Sequence, residues 1–405
     1  MTRSVLAELR ALAGDAASVG PDGLPRVAPQ SLDGIAAVMS LAHDHRWRVR
    51  VEGRSTWMPP DAPADLALTT ERFNRLISVA PADSVATVQS GATMRAIRAA
   101  LAGHRARLAL DPPGSPERTL GSVLATGTAG PLRHRFGPVR DHVLGTTVVA
   151  GDGRVVKSGG AVVKNVAGYD LTKVQIGGFS AFGIVAEINV RLRAAPAHSQ
   201  TLVAQGPLEP LLEGARSVIE ANVDLSVFEL CSPALTSSHD WSLLVQAEGT
   251  IAGVTAEVDR LRQVAAGAIF ELRDPAQADR LFQALAEGML DGPVVLRAGV
   301  LAPGTPDLID AIGETVGHSR LSASLGAGGL RWSGNPTPAH VRALRTRLAE
   351  REIPVTLERA PWAFRQAVGH FGSFREGVRP LTESIRAVFD PRQLLVSSLE
   401  AHDGG

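Results

Sequence analysis

The run Thr119-Leu-Gly-Ser-Val-Leu-Ala-Thr-Gly-Thr-Ala-Gly-Pro131 contains the residues of this chain whose types and spacing best suit anion binding. Nearly every side chain in it is small, and an apolar pair, Val123 and Leu124, can anchor it in a core. Small residues let the main chain approach a ligand closely and direct several N–H groups at one anion. The run therefore predicts a site for the pyrophosphate of an electron-carrying dinucleotide. A surface loop rich in glycine and alanine is the alternative.

Further segments have the composition of ligand-binding turns. The turn Glu52-Gly-Arg-Ser-Thr56 follows a predicted strand and offers hydroxyl and N–H groups to phosphate oxygens. The rigid sequence Asp111-Pro-Pro113 precedes the small-residue run. Two longer glycine-containing segments follow it, Gly137–Gly145 and Lys164–Val185. Together these segments predict that one ligand is bound from several directions.

Several common sites are excluded because their motifs are missing. No Gly-x-Gly-x-x-Gly lies between a strand and a helix, which argues against a Rossmann nicotinamide site. The dipeptide Gly-Lys is absent, and so are His-Glu-x-x-His and Gly-x-Ser-x-Gly, which removes the Walker A, zinc-protease and α/β-hydrolase classes. His43 and His45 end a predicted helix and are interpreted as surface residues. No metal site is predicted.

Composition narrows the class of protein further. The 405 residues suffice for two domains, and 41 basic against 41 acidic residues give no general attraction to nucleic acid or anionic lipid. Cys231 is the only cysteine, so this chain alone forms no disulfide and no Cys-ligated iron–sulfur cluster. No apolar run is long enough to span a bilayer, and the first ten residues resemble an amphipathic helix more than a signal peptide. A cytoplasmic location is expected.

Hydrophobic periodicity predicts a mixed α+β first half that closes near Arg193. Ser31 should cap a helix that continues to about His43. The other predicted elements are strands at 49–51, 84–90 and 184–192, a helix at 94–101 and a hairpin over 143–157.

Beyond Ala194-Ala-Pro196 the pattern changes to longer helices that alternate with strands. Predicted helices cover 208–221, 254–266, 306–316 and 337–351, and predicted strands cover 225–230, 242–247, 294–300, 320–325, 330–332 and 355–357. This order suggests two copies of a strand–helix–strand–strand–helix unit, which form an antiparallel sheet covered by helices. The expected domains are 1–195, 196–360 and a C-terminal tail, 361–405, with a helix at 381–389.

These motifs resemble the FAD-binding domain of the vanillyl-alcohol-oxidase/p-cresol-methylhydroxylase (PCMH) class, and within it the family of FAD-binding E subunits of bacterial glycolate oxidase. The residues that carry the resemblance are Thr119-x-Gly121, Ala129-Gly-Pro131, Val139-Arg-Asp141, Val143-Leu-Gly145 and Lys164-Asn-Val-Ala-Gly-Tyr-Asp170. It extends from about Val49 to Pro196. The resemblance implies a two-lobed PCMH-type FAD-binding domain, an α+β cap domain and a tail that returns to the FAD domain.

The resemblance also implies which residues contact FAD. They are Gly53, Arg54, Ser55 and Thr56 in a first loop, Gly121, Ser122, Ala125, Thr126 and Gly127 in a second, and Pro113, Asp141, Gly183, Ile184 and Val185 outside these loops. Neither loop contains the histidine or cysteine that links flavin covalently in some relatives, so FAD should bind non-covalently. Asp141 could instead pair with Arg140 to close a turn. Tyr169 could pack with its hydroxyl bonded or lie near the flavin.

Catalytic residues are less well indicated than the cofactor site. Oxidation of a 2-hydroxy acid needs cations for the carboxylate and a base for the hydroxyl proton. The candidate arginines are Arg297, Arg331, Arg359 and Arg365, and for each of them a structural or solvated charge is the favoured alternative. The Glu-His-Gly cluster of catalytic 2-hydroxy-acid dehydrogenases is missing. His370 is its nearest substitute, with a core or surface histidine as the alternative.

Three functions follow from this resemblance. The first is an FAD-dependent oxidoreductase subunit of a glycolate oxidase complex, which oxidises glycolate or a similar 2-hydroxy acid. The second is a flavin-bearing structural or electron-relay subunit without its own substrate pocket, and the third a stand-alone FAD-linked oxidase. The resemblance implies two partners, a larger FAD-binding catalytic subunit and an iron–sulfur subunit. Such a protein would be cytoplasmic or held at the inner membrane through these partners.

Overall fold

The computed structural model describes residues 2–161, 170–265, 267–372, 374 and 376–397. Its helices are α1 Thr2–Ala13, α2 Leu32–His45, α3 Met94–Ala102, α4 Leu120–Thr126, α5 Arg133–Phe136, α6 Thr172–Gln175, α7 Leu208–Glu220, α8 Pro233–Thr236, α9 Ile251–Val264, α10 Pro275–Glu287, α11 Thr305–Val316, α12 Pro338–Ala349, α13 Trp362–Val368 and α14 Val378–Phe389. Its strands are β1 Ala17–Val19, β2 Pro25–Val27, β3 Val49–Glu52, β4 Leu66–Thr69, β5 Leu76–Ala80, β6 Val85–Gln89, β7 Ala106–Arg107, β8 Val143–Val149, β9 Val155–Gly159, β10 Ile184–Arg191, β11 Arg193–Ala194, β12 His198–Gly206, β13 Val227–Cys231, β14 Trp241–Gly249, β15 Glu271–Arg273, β16 Val294–Gly299, β17 Arg320–Ser324, β18 Gly329–Gly334 and β19 Val355–Arg359.

The first sheet has the order β1-β2-β4-β3, with β3 and β4 parallel. Helix α2 packs on it, and the hydroxyl of Ser31 caps this helix by accepting a hydrogen bond from the Gly34 N–H at 3.0 Å. The tail returns to this sheet, because the Val49 N–H donates to the Leu394 carbonyl and the Val396 N–H to the Val49 carbonyl. The tail thereby holds the start of β3, the strand that leads into the first phosphate turn.

The second sheet has the order β5-β6-β10-β8-β9, and its strands pair antiparallel. Alternate residues of β10 are buried, which is the period-two pattern that the sequence predicts. Helices α3 and α4 pack against this sheet through a cluster that includes Ile97, Val123 and Leu124. The small-residue run is therefore held against β10 and the adjoining β6.

The third sheet has eight antiparallel strands in the order β15-β12-β14-β13-β17-β18-β16-β19. Helices α7, α9, α11 and α12 contribute to the cluster that covers one face. The opposite face meets Trp57 and the segment that follows α4. Apart from the short α8 in the first half, each half of the sheet has a strand–helix–strand–strand–helix–strand order, and the predicted α+β class is confirmed. The domain boundaries at 195 and 360 stay predictions.

Four elements of this third sheet region are absent from the sequence prediction: β12, α8, β15 and α10. Strand β12 lies directly after the predicted boundary, and helix α10 begins with a capping box between Asp274 and Gln277. In the described part of the chain, no helix has both the length and the apolarity to cross a membrane.

Candidate functional site

The turn after β3 presents main-chain donors to a cleft. The N–H groups of residues 53–58 make no hydrogen bond to the described part of the chain, and Ser55 has a left-handed φ of 54°. The Gly53 carbonyl accepts a hydrogen bond from Thr69 Oγ1 at 2.9 Å, which holds the turn in place. A run of such N–H groups forms a concave anion site. The turn therefore fits the phosphate oxygens that the sequence assigns to it.

The small-residue run is a helix where the sequence predicts a loop. The Thr119 hydroxyl caps α4 by accepting from the Ser122 N–H, and the Gly121 N–H donates to the Ser90 carbonyl at 2.8 Å. The expectation that the N–H groups at the start of this run face an anion is therefore wrong, because they already have partners. What α4 offers a ligand is its surface of small side chains, on the wall of the cleft opposite the turn.

Between the turn and α4 lies a cleft of about 1080 Å³, a volume that includes solvent at its mouth. Nine predicted cofactor-binding residues line it: Gly53, Arg54, Ser55, Thr56, Gly121, Ser122, Ala125, Thr126 and Val185. No histidine or cysteine is among the described residues that line it. The cleft therefore fits a dinucleotide held without a covalent link.

The other five predicted cofactor residues lie outside the described lining of the cleft. The carbonyl of Pro113 accepts from Arg118, and that of Gly127 accepts from Arg297. Gly183 (φ 111°) and the buried Ile184 lie at the start of β10 beside β8. Asp141 is exposed in a 3₁₀ turn beside Gly137, and the described ion pairs include none between it and Arg140.

The segment Lys164–Tyr169 lies outside the described residues. It contains most of the motif that supports the resemblance, and Tyr169 with it. Neither proposed role of Tyr169 is tested.

The backbone of Gly121 explains why this position of the motif is glycine. A Cβ atom at this position would lie 2.8 Å from the Ser90 Cβ and 3.0 Å from the Ser90 carbonyl oxygen. We expect Gly121→Ala to separate α4 from β6 and to weaken FAD affinity about tenfold or more, with a loss of about 1–3 kcal/mol in stability. Titration with FAD and thermal unfolding measure the two effects.

The matched control for this prediction is Gly103→Ala. Gly103 has an ordinary negative φ, and a Cβ there would meet nothing within 4 Å. This variant should keep the wild-type FAD affinity and melting temperature. Equal behaviour of the two variants would contradict the role given to Gly121.

His370, the predicted base, is fully buried behind the cleft. Its ring lies 4.1 Å from the ring of Phe179, centroid to centroid, and Phe179 itself lines the cleft. Neither ring nitrogen of His370 has a hydrogen-bond partner among the described residues. Burial, reinforced by Arg365 and other cations, lowers the pKa of His370 well below its usual range. The imidazole is therefore neutral, and it does not line the cleft.

The predicted arginines Arg297 and Arg331 lie on the face of the third sheet opposite α7, α9, α11 and α12. Arg331 binds both carboxylate oxygens of Glu358, at 2.5 and 3.1 Å, and donates to the Ala129 carbonyl at 3.0 Å. Arg297 lies 3.4 Å from the same carboxylate and donates to the Gly127 carbonyl at 3.1 Å. Both arginines thus join the third sheet to the segment after α4, and both share one buried anion.

Arg359 and Arg365 also contact other residues of the protein near the cleft. Arg359 Nε donates to the Trp57 carbonyl at 2.9 Å. Arg365 lies 3.4 Å from the carboxylate of Asp61, and its guanidinium covers the Trp362 ring.

Two residues at the cleft were missed by sequence reasoning. Arg118 is fully buried, donates to the hydroxyls of Thr126 (2.6 Å) and Thr128 (3.1 Å), and stacks 4.4 Å from the Trp57 ring centre. Burial lowers the pKa of Arg118 to about 9. Trp57 donates through its indole N–H to the Glu358 carbonyl at 3.0 Å. Both could have been suspected from the sequence, because Trp57 directly follows Thr56 and Arg118 directly precedes Thr119.

Residues 25–159 match the protein family described as FAD binding domain. This match confirms the prediction of FAD as the cofactor. Glycolate oxidase subunit GlcE of Escherichia coli (strain K12) is 38% identical over 31% of this chain and 37% of its own length. Glycolate oxidase subunit GlcD of Bacillus subtilis (strain 168) is 25% identical over 60% of this chain and 55% of its own length. The matched stretches thus span less than two thirds of either relative.

Among solved structures, p-cresol methylhydroxylase with substrate bound has a similar fold. The two structures superpose with a TM-score of 0.74 over 99% of this chain and 97% of the other, at 12% identity. At this identity the similarity concerns the fold alone. It confirms the PCMH-type fold class.

Proposed function

We propose that this chain is an FAD-binding oxidoreductase subunit of a complex that oxidises glycolate or a similar small 2-hydroxy acid. The main support for FAD binding is the cleft. The turn with unbonded N–H groups forms one of its walls, and the small residues of α4 form the opposite wall. The N–H groups of Gly53–Thr56 would bind phosphate oxygens, and α4 would form the opposite wall. When bound, FAD supplies the electron-accepting chemistry.

The names of the relatives support a complex of several subunits, because two of them are glycolate oxidase subunits. We propose a larger FAD-binding catalytic subunit and an iron–sulfur subunit as partners. Cys231 lies buried in β13, where burial raises the pKa of its thiol well above the usual range. A single buried cysteine of this kind is not suited to bind an iron–sulfur cluster, which supports placing the cluster in a partner subunit. Such a complex would be cytoplasmic or held at the inner membrane through its partners.

A second candidate is a flavin-bearing subunit that relays electrons or supports the assembly without oxidising a substrate itself. One observation favours it: Arg297 and Arg331 already share the Glu358 carboxylate and main-chain carbonyls. His370 has no described route to the cleft, because Phe179 lies between them. Both candidates need the same bound FAD and differ in where the substrate binds.

A visible spectrum followed by anaerobic substrate addition tests the proposal. We expect the purified chain to be yellow and, if it oxidises the substrate itself, to lose its colour when glycolate is added to the chain alone. Bleaching of the chain alone would place the substrate site within it, whereas bleaching only in the complex would favour the second candidate. A colourless chain that takes up no FAD in titration calorimetry, with or without partners, would contradict both.

A further inference from the structure

A small polar cavity lies between the segment after α4 and the face of the third sheet opposite α7, α9, α11 and α12. It encloses about 330 Å³, a volume that includes open solvent. Glu229, Ser322, Arg297 and Arg331 line it from the sheet, and Arg133 at the start of α5 closes the other side. We call it the interface cavity. Alternation along β13, β17 and β18 places these polar residues on one face and apolar residues on the other, toward the helices.

The charges that face the interface cavity are unbalanced. Arg297 and Arg331 share the single carboxylate of Glu358. Arg133 has no hydrogen bond or ion pair from its guanidinium to the described residues, although it is half-buried. The carboxyl of Glu229 forms a hydrogen bond with the Ser322 hydroxyl at 2.5 Å and no ion pair with a described residue. Among these five side chains, the positive charges exceed the negative ones by one when both glutamates are ionised.

Asp111 faces the same region from behind Gly130. Both of its carboxylate oxygens accept from the Leu132 N–H, at 3.0 and 3.2 Å, and it makes no described contact with Arg133. Burial, with a further contribution from Glu229, raises the pKa of Asp111 to about 7. Burial likewise raises the pKa of Glu229. Both shifts reduce the negative charge opposite Arg133.

We propose that the interface cavity binds the carboxylate of a small organic acid, with the guanidinium of Arg133 as its main partner. A planar guanidinium with free N–H groups matches a carboxylate in two-point hydrogen bonding. The Ser322 hydroxyl and the Glu229 carboxyl lie opposite and can bind a second polar group of the acid, such as a hydroxyl. That this acid is the substrate rests on the proposed function; that the site binds a carboxylate does not.

Gly329 provides the space that Arg133 occupies. A Cβ atom on Gly329 would lie 3.0 Å from Arg133 Nη1. A methyl group there would shift the guanidinium by a few tenths of an ångström without changing any charge. Gly329→Ala is therefore a second variant that tests the position of Arg133 independently of its charge.

Titration calorimetry of the FAD-loaded protein with oxalate tests the site, since oxalate is a small diacid with no hydroxyl to oxidise. We expect saturable binding to the wild type, about tenfold or more weaker binding to Arg133→Gln, and several-fold weaker binding to Gly329→Ala. The control is Arg135→Gln on the same helix, whose side chain contacts the exposed Asp224 at 3.0 Å. It should bind oxalate like the wild type.

The outcomes separate this site from the proposed function. No oxalate binding to the wild type, or equal binding to Arg133→Gln and wild type, would overturn the site. Retained flavin absorbance shows that each variant is folded, and if Arg133→Gln loses it, Gly329→Ala decides alone. Glycolate-driven bleaching reports on the proposed function, so either proposal can fail while the other stands.

Discussion

Replacement of Trp57 by alanine should cost about 3–5 kcal/mol of unfolding free energy and most of the FAD affinity. The indole is 2% exposed, stacks on Arg118 and donates to the Glu358 carbonyl, so it joins the first phosphate turn to the third sheet. Its removal leaves a cavity and an unpaired buried carbonyl. Because Trp57 directly follows Thr56, the turn itself should lose its position. Urea denaturation and FAD titration measure the two effects.

Trp57→Phe is the matched control. Phenylalanine keeps much of the ring packing against Arg118 but cannot donate to Glu358. The loss in unfolding free energy should then be about 1–3 kcal/mol, with FAD binding largely retained. A loss below about 1 kcal/mol for Trp57→Ala would show that the indole does not hold the turn to the sheet.

Replacement of Glu358 by glutamine should destabilise the protein by about 3–5 kcal/mol, because it leaves Arg331 and Arg297 without their shared buried anion. Glu358 is completely buried. The matched control is Glu117→Gln, since Glu117 also lies between two arginines, Arg54 and Arg95, but is partly exposed. There the loss should be under about 1 kcal/mol. Similar losses at both positions would contradict the argument from burial.

The contact of Glu358 with Arg331 and Arg297 also predicts how the free energy of unfolding depends on pH. Burial alone would raise the pKa of Glu358, but Arg331 and Arg297 outweigh it and hold the pKa below its ordinary value of 4.5. A carboxyl whose folded pKa is lowered contributes stability above its unfolded pKa and loses it as the pH falls through the folded pKa. The difference between wild type and Glu358→Gln should therefore be full near neutral pH and shrink below about pH 4.5. Urea denaturation across this range measures it, and a constant difference would contradict the assignment.

Local patterns in the sequence predicted the elements that carry their own signal. The Ser31 cap fixed the start of α2, and strict alternation fixed β10. The turn Gly53–Thr56 was recognised because hydroxyl and glycine residues directly follow a strand. In each case the physical cause lies within a few residues of the element that it specifies.

Features that depend on distant contacts could not be predicted in the same way. Helix α4 was mistaken for a loop because its small residues hide the two determinants of the helix, the Thr119 cap and the burial of Val123 and Leu124. For Arg297 and Arg331 a substrate carboxylate and a structural charge could not be told apart, because their partner, Glu358, is 27 residues beyond Arg331 and has no motif around it. Spacing along the chain cannot reveal a shared counterion across a sheet.

The strand order of the third sheet also has an evolutionary meaning. Its two halves, β15-β12-β14-β13 and β17-β18-β16-β19, mirror each other about the β13–β17 pair. Fusion of the two subunits of an ancestral homodimer into one chain would produce this arrangement. The former two-fold axis would then pass between Glu229 and Ser322. Polar groups beside such an axis come from both former subunits. Later sequence changes in one of them could therefore reshape the interface cavity while the other kept the structure of the sheet.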